Sequence, residues 1–362
     1  MRSVWLRLGT VAVSAFLALS AAGCGDDDPS APTPSPSQRE QVLRGRYLVT
    51  AVGGCADCHS SGKDPSDPLW LAGYTPGTPG QPFQVGSFKV YPANLTPDPD
   101  TGLGKWTAKQ IFDALRTGKD DEGHYLCPPM PWPVFRNMTD DDLNAVVAYL
   151  QSLKPVRNEV PQSEGPSPFP DGHGDWSSAY QGLKPLPVYP AASEGDPAES
   201  TTLSQVQHGR YLVTAVGGCA DCHSSGKDPS DPMWLAGYTA GTPGQPFMIG
   251  SFKVYPANLT PDPDTGLGHW TMQDIVTALK TGKDPEGHYL CPPMPWPVYR
   301  NMTDQDRFDM AAYLRSLKPV HNAVPVSEGP NPFPDGHGDW SSAYQNLQPL
   351  PAYPAANELP VS

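Results

Sequence analysis

Positive charge is scarce in this chain. Lysine and arginine total 24 against 38 aspartates and glutamates, a formal net charge of −14. Such an acidic chain repels nucleic acid, which excludes DNA or RNA as a main partner. Long apolar runs are scarce as well. The run from Leu8 to Ala22 is short for a bilayer span, and no later stretch is long and apolar enough to cross one. Only 38% of residues are hydrophobic, so a packed core is possible but not large. What abounds is proline, at 46 residues, with 35 glycines. That composition predicts much turn-rich, irregular chain around a modest set of helices.

The start reads "MRSVWLRLGTVAVSAFLALSAAGC", with Arg2 and Arg7 before the apolar run and small residues after it. This is the pattern of a secretory signal. "SAAGC" resembles a bacterial lipobox, so residues 1–23 are expected to be removed and Cys24 to be lipidated. A lone thiol at an exported terminus would otherwise be a liability. Residues 24–37, "CGDDDPSAPTPSPS", have no apolar periodicity and are expected to form a disordered tether. A lipid and a flexible arm would hold a soluble body at a membrane face on the periplasmic side.

The rest is a duplication without a gap. Gly45 to Pro68 is identical to Gly209 to Pro232, and Gly86 to Gly104 to Gly250 to Gly268. The repeat is far longer than a solenoid unit, so each copy is expected to be a domain, at 38–192 and 203–358, joined by a polar linker at 193–202. Each copy predicts three helices. The first runs from about Arg39 to Val52 and stops at Gly53-Gly54. The second starts at Thr107 with Gln110 three residues on, a capping-box pattern, and stops at Gly118. The third starts at Thr139, carries Leu143, Val146, Val147, Leu150 and Leu153 as one stripe, and closes at Pro155. Arg307 replaces Leu143 in the second copy and weakens the stripe there. The fold is therefore expected to be mainly α, with long Pro/Gly-rich loops and little β structure. Loops this long need something to wrap, and a large apolar cofactor would supply missing core.

"GGCADCHSSGKD" begins at Gly53 and again at Gly217. It supports three chemistries. Structural zinc wants four Cys or His ligands, and each half offers one pair followed directly by His59 or His223. A site shared by both pairs would leave those histidines without a role. A thioredoxin-like dithiol would follow a strand in a βαβ pattern, and here the motif follows a helix. Covalent haem c is the third. Cys55 and Cys58, and likewise Cys219 and Cys222, would bond one porphyrin's two vinyl groups, with the next histidine beneath the iron. Motif, export and repetition agree on haem.

A sixth ligand must come from elsewhere. Met130 in "LCPPMPWPVFRNM" and Met294 in "LCPPMPWPVYRNM" sit between prolines and cannot belong to a helix stripe. A thioether is a soft, neutral ligand that favours Fe(II). Rivals exist in both copies: Met138 and Met302 before the last helix, His124 and His288, and His173 and His337 in the Pro-rich arm. His208, His269 and His321 have no counterpart histidine in the other half. Cys127 and Cys291 are expected either to pair with each other or to be small buried groups beside the haem. Trp106, Trp132, Trp270 and Trp296 are expected to pack on porphyrin or in the core.

At these residues the chain resembles class I cytochrome c. It is similar in particular to the cytochrome c subunits of bacterial membrane-bound alcohol, aldehyde and gluconate dehydrogenases, through "GRYLV…CADCH", "ANLTPDPDTGLGKWT", "PPMPWPVFRNMTDDDL" and "LKPVRNEVP". Those subunits typically carry three haem motifs, and this chain has two. The resemblance implies two tandem class I domains and two covalently bound haem c groups. It implies thioethers at Cys55, Cys58, Cys219 and Cys222, and axial pairs His59/Met130 and His223/Met294. The function expected is a di-haem electron carrier, not itself an enzyme, with redox-protein donor and acceptor and a membrane-bound dehydrogenase as partner. A di-haem peroxidase, or a protein using haem only as a structural staple, is the alternative. A peroxidase normally needs two dissimilar sites, and these are nearly identical.

Overall fold

The computed structural model describes residues 37–362, apart from 63, 86, 166–175, 199, 227, 250, 330–339, 345–346 and 362. Cys24 and the leader, His173 and His337 lie outside the described residues. The first repeat contains α1 (Gln38–Tyr47), α2 (Cys55–His59), the hairpin β1 (Phe83–Val85) and β2 (Phe88–Val90), α3 (Ala108–Thr117), α4 (Trp132–Phe135) and α5 (Asp140–Gln151). The second contains α6 (Leu203–Tyr211), α7 (Cys219–His223), β3 (Phe247–Ile249), β4 (Phe252–Val254), α8 (Met272–Thr281), α9 (Trp296–Tyr299) and α10 (Asp304–Ser316). The sheets among the described residues are these two short antiparallel hairpins. The chain is mainly α.

The helices begin and end for local reasons. Thr107 accepts a hydrogen bond from Gln110 N while the Gln110 side chain returns one from Thr107 N, closing the capping box. Gly118 then stops α3 in a left-handed conformation. Thr139 caps α5 through Asp142 N. The first helix reaches Gly53 only by widening into a π-helical turn over Leu48–Val52, where Gly53 N bonds Leu48 O at 2.7 Å. That whole turn is buried. Where α1 crosses α5, any side chain on Gly45 would overlap the Ala145 carbonyl, and Gly209 meets Asp309 in the same way.

The two repeats share one core. The hydrophobic cluster runs from Val42, Leu48 and Val52 through Val146 and Leu150 to Leu212, Val216, Met310 and Leu314. Val216 of the second repeat packs into an apolar pocket with Leu48, Cys55, Phe135 and Met138 of the first. Polar contacts reinforce the seam in pairs. Tyr211 donates to Asp142 at 2.6 Å and accepts from Thr139 N, while Tyr47 donates to Asp306 and accepts from Thr303 N.

The arms that follow each last helix cross over. Glu194 is buried in the second repeat, where Tyr313, Arg210 Nε and Ala191 N all donate to it, at 2.6–2.7 Å. Glu358, near the other end of the chain, is buried in the first repeat by Tyr149 at 2.8 Å, Arg46 Nε at 2.6 Å and Ala355 N at 2.7 Å. Isolated bridges join Glu194 to Leu317 and Leu153 to Glu358. Desolvating a carboxylate costs several kcal/mol, and three donors including a guanidinium offset it only when all are in place. Residues 193 and 194, expected to open a linker, are thus buried in the second repeat.

Arg307 does not weaken its helix as the sequence suggests. It is buried, donating to Tyr299 O at 2.9 Å, Arg300 O at 3.1 Å and Asp304 at 2.5 Å. In the first repeat Arg116 on α3 does the same work, donating to Arg136 O, Met138 O and Asp140. Lys280 stands at the position of Arg116 and pairs with Asp304 at 2.9 Å. The guanidinium has moved from one helix to another and still satisfies the carbonyls of the short helix before it.

Two outcomes follow from the seam and the arms. Glu358→Ala strands Arg46 and Tyr149 and should destabilise the protein by about 3–5 kcal/mol. Hydrogen exchange of the holoprotein should then rise first in α1 and α5, although the mutation lies beyond α10. For Asp142, burial alone would raise the pKa. The hydrogen bonds from Arg44 and Tyr211 outweigh it and hold the carboxyl below its ordinary value. The stability this gives is complete above the unfolded value of about 4 and is lost as pH falls through the lower folded value. Acid unfolding curves should show that loss below about pH 4, and Asp142→Asn should remove it.

Candidate functional site

Each CADCH motif forms its own short helix, α2 or α7. Gly54 and Gly218 precede them at φ +59°, a left-handed turn that favours glycine. On a helix, positions i, i+3 and i+4 share a face. Cys55, Cys58 and His59 therefore line one side, and Asp57 stands exposed on the other. The loops hold the end of the helix. Gly73 N donates to His59 O at 2.8 Å, and Gln81 Nε2 donates to Cys58 O at 2.6 Å. The second repeat reproduces both, with Gly237 on His223 at 2.8 Å and Gln245 on Cys222 at 2.6 Å.

His59 Nδ1 lies 2.8 Å from Ala93 O, and His223 Nδ1 lies 2.8 Å from Ala257 O. A carbonyl only accepts, so Nδ1 carries the hydrogen and Nε2 keeps the lone pair. Burial pushes both imidazoles below their ordinary pKa, with the carbonyl bond opposing. Each ring is thus held neutral in one tautomer, with the Nε2 lone pair available to a metal. Burial also pushes all four thiols up to about 12. The partner cysteine adds to this at Cys55 and Cys219, and the neighbouring aspartate at Cys58 and Cys222. Thiols held protonated do not suit a reactive dithiol. Among the described residues, neither pair gathers with its histidine or a carboxylate into a group of three ligand atoms within 4.8 Å. Two thiols and an imidazole on one apolar helix face do fit a covalently held haem.

Met130 and Met294 are partly buried against the core, each in a turn closed onto the preceding cysteine, Met130 N to Cys127 O at 3.1 Å and Met294 N to Cys291 O at 3.1 Å. Met138 and Met302 are buried core residues at 5% and 4% exposure, and Met138 lines the apolar pocket that also contains Cys55. His124 and His288 sit in their own acidic turns, 3.5 Å and 3.4 Å from Asp120 and Asp284. His208 bonds Asp309 at 2.8 Å, His321 lies 3.5 Å from Asp262, and His269 is exposed. Cys127 and Cys291 join no disulfide, and Trp176 Nε1 donates to Cys127 Sγ at 3.2 Å. Trp132 and Trp296 are buried over Gly118 and Gly282, within aromatic clusters that include Tyr125 with Tyr180 and Tyr289 with Tyr344. Trp106 and Trp270 are partly buried against the core.

The sequence reading missed Trp70 and Trp234. Each is buried and donates to a tyrosine, Tyr149 at 3.1 Å and Tyr313 at 3.0 Å, that in turn donates to Glu358 or Glu194. Their signal was the repeated "DP-x-W-L-A-G" of each long loop, which offered no spacing to a partner. It was also silent on Gln81 and Gln245.

Residues 42–154 and 206–318 each match the cytochrome c family. The chain belongs to the cytochrome c family. Each matched segment contains one CADCH motif, and the Pro-rich arms lie mostly outside both segments. The fructose dehydrogenase cytochrome subunit of Gluconobacter japonicus is 31% identical over 300 residues, covering 80% of this chain and 55% of that protein. The alcohol dehydrogenase (quinone) cytochrome c subunit of Gluconobacter oxydans is 29% identical over 294 residues, covering 77% and 55%. A diheme cytochrome c-type protein of Cereibacter sphaeroides is 28% identical over 284 residues, covering 77% and 87%. The chain thus spans little more than half the length of these two dehydrogenase cytochrome subunits. It is a di-haem c-type cytochrome with two covalently bound haem c groups.

The cap on the attachment helix is testable. Gln81→Ala leaves the Cys58 carbonyl without that donor and should cost about 1–3 kcal/mol. The midpoint of denaturant unfolding of the holoprotein would report it, and Gln245→Ala should match it.

Proposed function

We propose that this cytochrome accepts electrons from a membrane-bound dehydrogenase and passes them to a redox acceptor outside the cytoplasm. The observation that carries this is the doubled ligand set on two matching scaffolds, with the same helix, the same Nδ1 contact and the same glutamine cap. Bound haem supplies a one-electron Fe(III)/Fe(II) couple. Cys55 and Cys58 hold one group and Cys219 and Cys222 the other. His59 and His223 offer Nε2 to the irons, held by Ala93 and Ala257 through Nδ1. Met130 and Met294 would each offer a soft thioether to the iron, which would favour Fe(II) and so a higher potential. Matching sites support a carrier over a di-haem peroxidase, which normally needs two dissimilar sites. The dehydrogenase partner rests on the names of the relatives above. Export and anchoring rest on the leader sequence, the lipobox-like "SAAGC" that ends at Cys24 and the Pro/Ser/Asp-rich stretch after it.

Two measurements test the ligands. The double variant Cys55→Ser/Cys58→Ser should lose one covalent haem, seen as half the pyridine haemochrome signal and one haem less in the intact mass. Met130→Ala and Met294→Ala should each lower one midpoint potential, on the order of 100 mV or more, because the axial ligand is a main determinant of the couple. If neither variant lowers a potential, the methionine assignment is wrong.

A further inference from the structure

Three histidines of the second repeat stand where the first carries a permanent cation: His208 for Arg44, His269 for Lys105 and His321 for Arg157. The change matters most at His208, because its partners are buried. In the first repeat Arg44 on α1 forks onto Asp142 on α5, Nε to Oδ1 at 2.7 Å and Nη2 to Oδ2 at 2.8 Å. Ala145 lies three residues further along α5 and is buried. In the second repeat Asp306 stands for Asp142, and a second carboxylate, Asp309, stands for Ala145. One permanent positive charge is gone and one negative charge is added.

Both carboxylates are buried, Asp306 at 8% and Asp309 at 4% exposure. A buried pair of like charges is costly unless a cation joins them. The basic side chains of the same two helices are paired elsewhere: Arg210 with Glu194, Arg307 with Asp304, and Arg315 with Leu267 O. Arg44 is close enough to feel the charge of Asp306, but its fork is closed on Asp142.

The three side chains meet. His208 Nδ1 lies 2.8 Å from Asp309 Oδ2 and 3.7 Å from Asp306 Oδ1, and one ligand atom from each residue lies within 4.8 Å of the others. A single imidazole hydrogen serves only one of those oxygens. A tetrahedral divalent ion with bonds of about 2.0–2.1 Å holds its ligand atoms about 3.3 Å apart. The two distances from Nδ1 fall on either side of that spacing. The aspartates share a face of α10, three residues apart, and α6 brings the imidazole to them. The other oxygen of each carboxylate has a neutral donor. Tyr47 of the first repeat donates to Asp306 Oδ2, and Gln305 Nε2 donates to Asp309 Oδ1 at 2.7 Å. Such contacts orient ligating carboxylates without supplying the missing charge. The His208 side chain is 38% exposed, which leaves a path for an ion and for water as a fourth ligand.

We infer that His208, Asp306 and Asp309 form a site for a first-row divalent cation of the zinc type, separate from the haem irons. One imidazole with two carboxylates suits zinc better than calcium or magnesium, which favour oxygen alone. The ion takes the place of the Nδ1 hydrogen, and the neutral ring carries its hydrogen on Nε2 instead. It clamps α6 to α10 and, through Tyr47, steadies the seam that the fork of Arg44 steadies on the first repeat's side.

Zinc uptake by the full-length holoprotein tests the inference, by equilibrium dialysis with metal analysis. The wild type should hold one zinc per chain more than His208→Arg/Asp309→Ala, a variant that installs the pair with which the first repeat folds. The groups around His288 and His321 are the same in both chains, so any zinc they hold cancels. The thermal midpoint of the wild type should rise with zinc and fall back with chelator, while that of the variant follows neither. Equal uptake by the two chains would overturn the inference. So would a wild-type seam that responds to pH and not to zinc, because a protonated His208 would then supply the charge.

Discussion

A carboxylate with no exposed surface has to be satisfied where it lies, and two of them organise this molecule. Glu194 and Glu358 each sit at the end of a proline-rich arm, and each is completed by an arginine and a tyrosine of the repeat other than the one its arm extends. The arginine comes from α1 or α6 and the tyrosine from α5 or α10, so one acidic side chain ties together the helix pair on which the attachment site is built. Tyr149 and Tyr313 pass the restraint on to Trp70 and Trp234 in the long loops. Helix pair, loop and arm thus share one buried polar network in each half, fully satisfied and therefore specific to one arrangement.

That arrangement sets what the sites can do. Thin repeats with long loops bury little apolar surface alone, and the common core compensates by joining both π-helical turns and both short helices. It also places the two attachment helices against opposite repeats, with Val298 beside Gly54 and Val134 beside Gly218. A carrier with two couples needs such closeness, because electron transfer falls off steeply with distance.

Much of this was legible in the residues. The capping box at Thr107 and Gln110, the stop at Gly118 and the cap at Thr139 follow local rules, and the structure has them. The CADCH motifs left three chemistries open by spacing alone, and the leader and the repetition pointed to haem; the tandem architecture follows from the register of the repeat. The rest depends on pairs far apart in sequence. Arg46 and Glu358 are 312 residues apart, and nothing in a proline-rich tail announces that its glutamate is buried. Arg307 looked like damage to an apolar stripe because its partner change, Lys280 for Arg116, lies on another helix. Gln81 and Gln245 cap carbonyls 23 residues back, an interaction with no periodicity to reveal it.

The crossed arms have one more consequence. Each half holds the tail of the other, so the connection around residues 196–202 is not what keeps the halves together. A protease that cut the chain there would leave two polypeptides, each clasping the other at a buried glutamate and along a shared core. The two would still travel as one particle, with both haems in place. The same geometry is that of a symmetric dimer with exchanged tails, and the peptide linking the repeats has turned a concentration-dependent assembly into a permanent one.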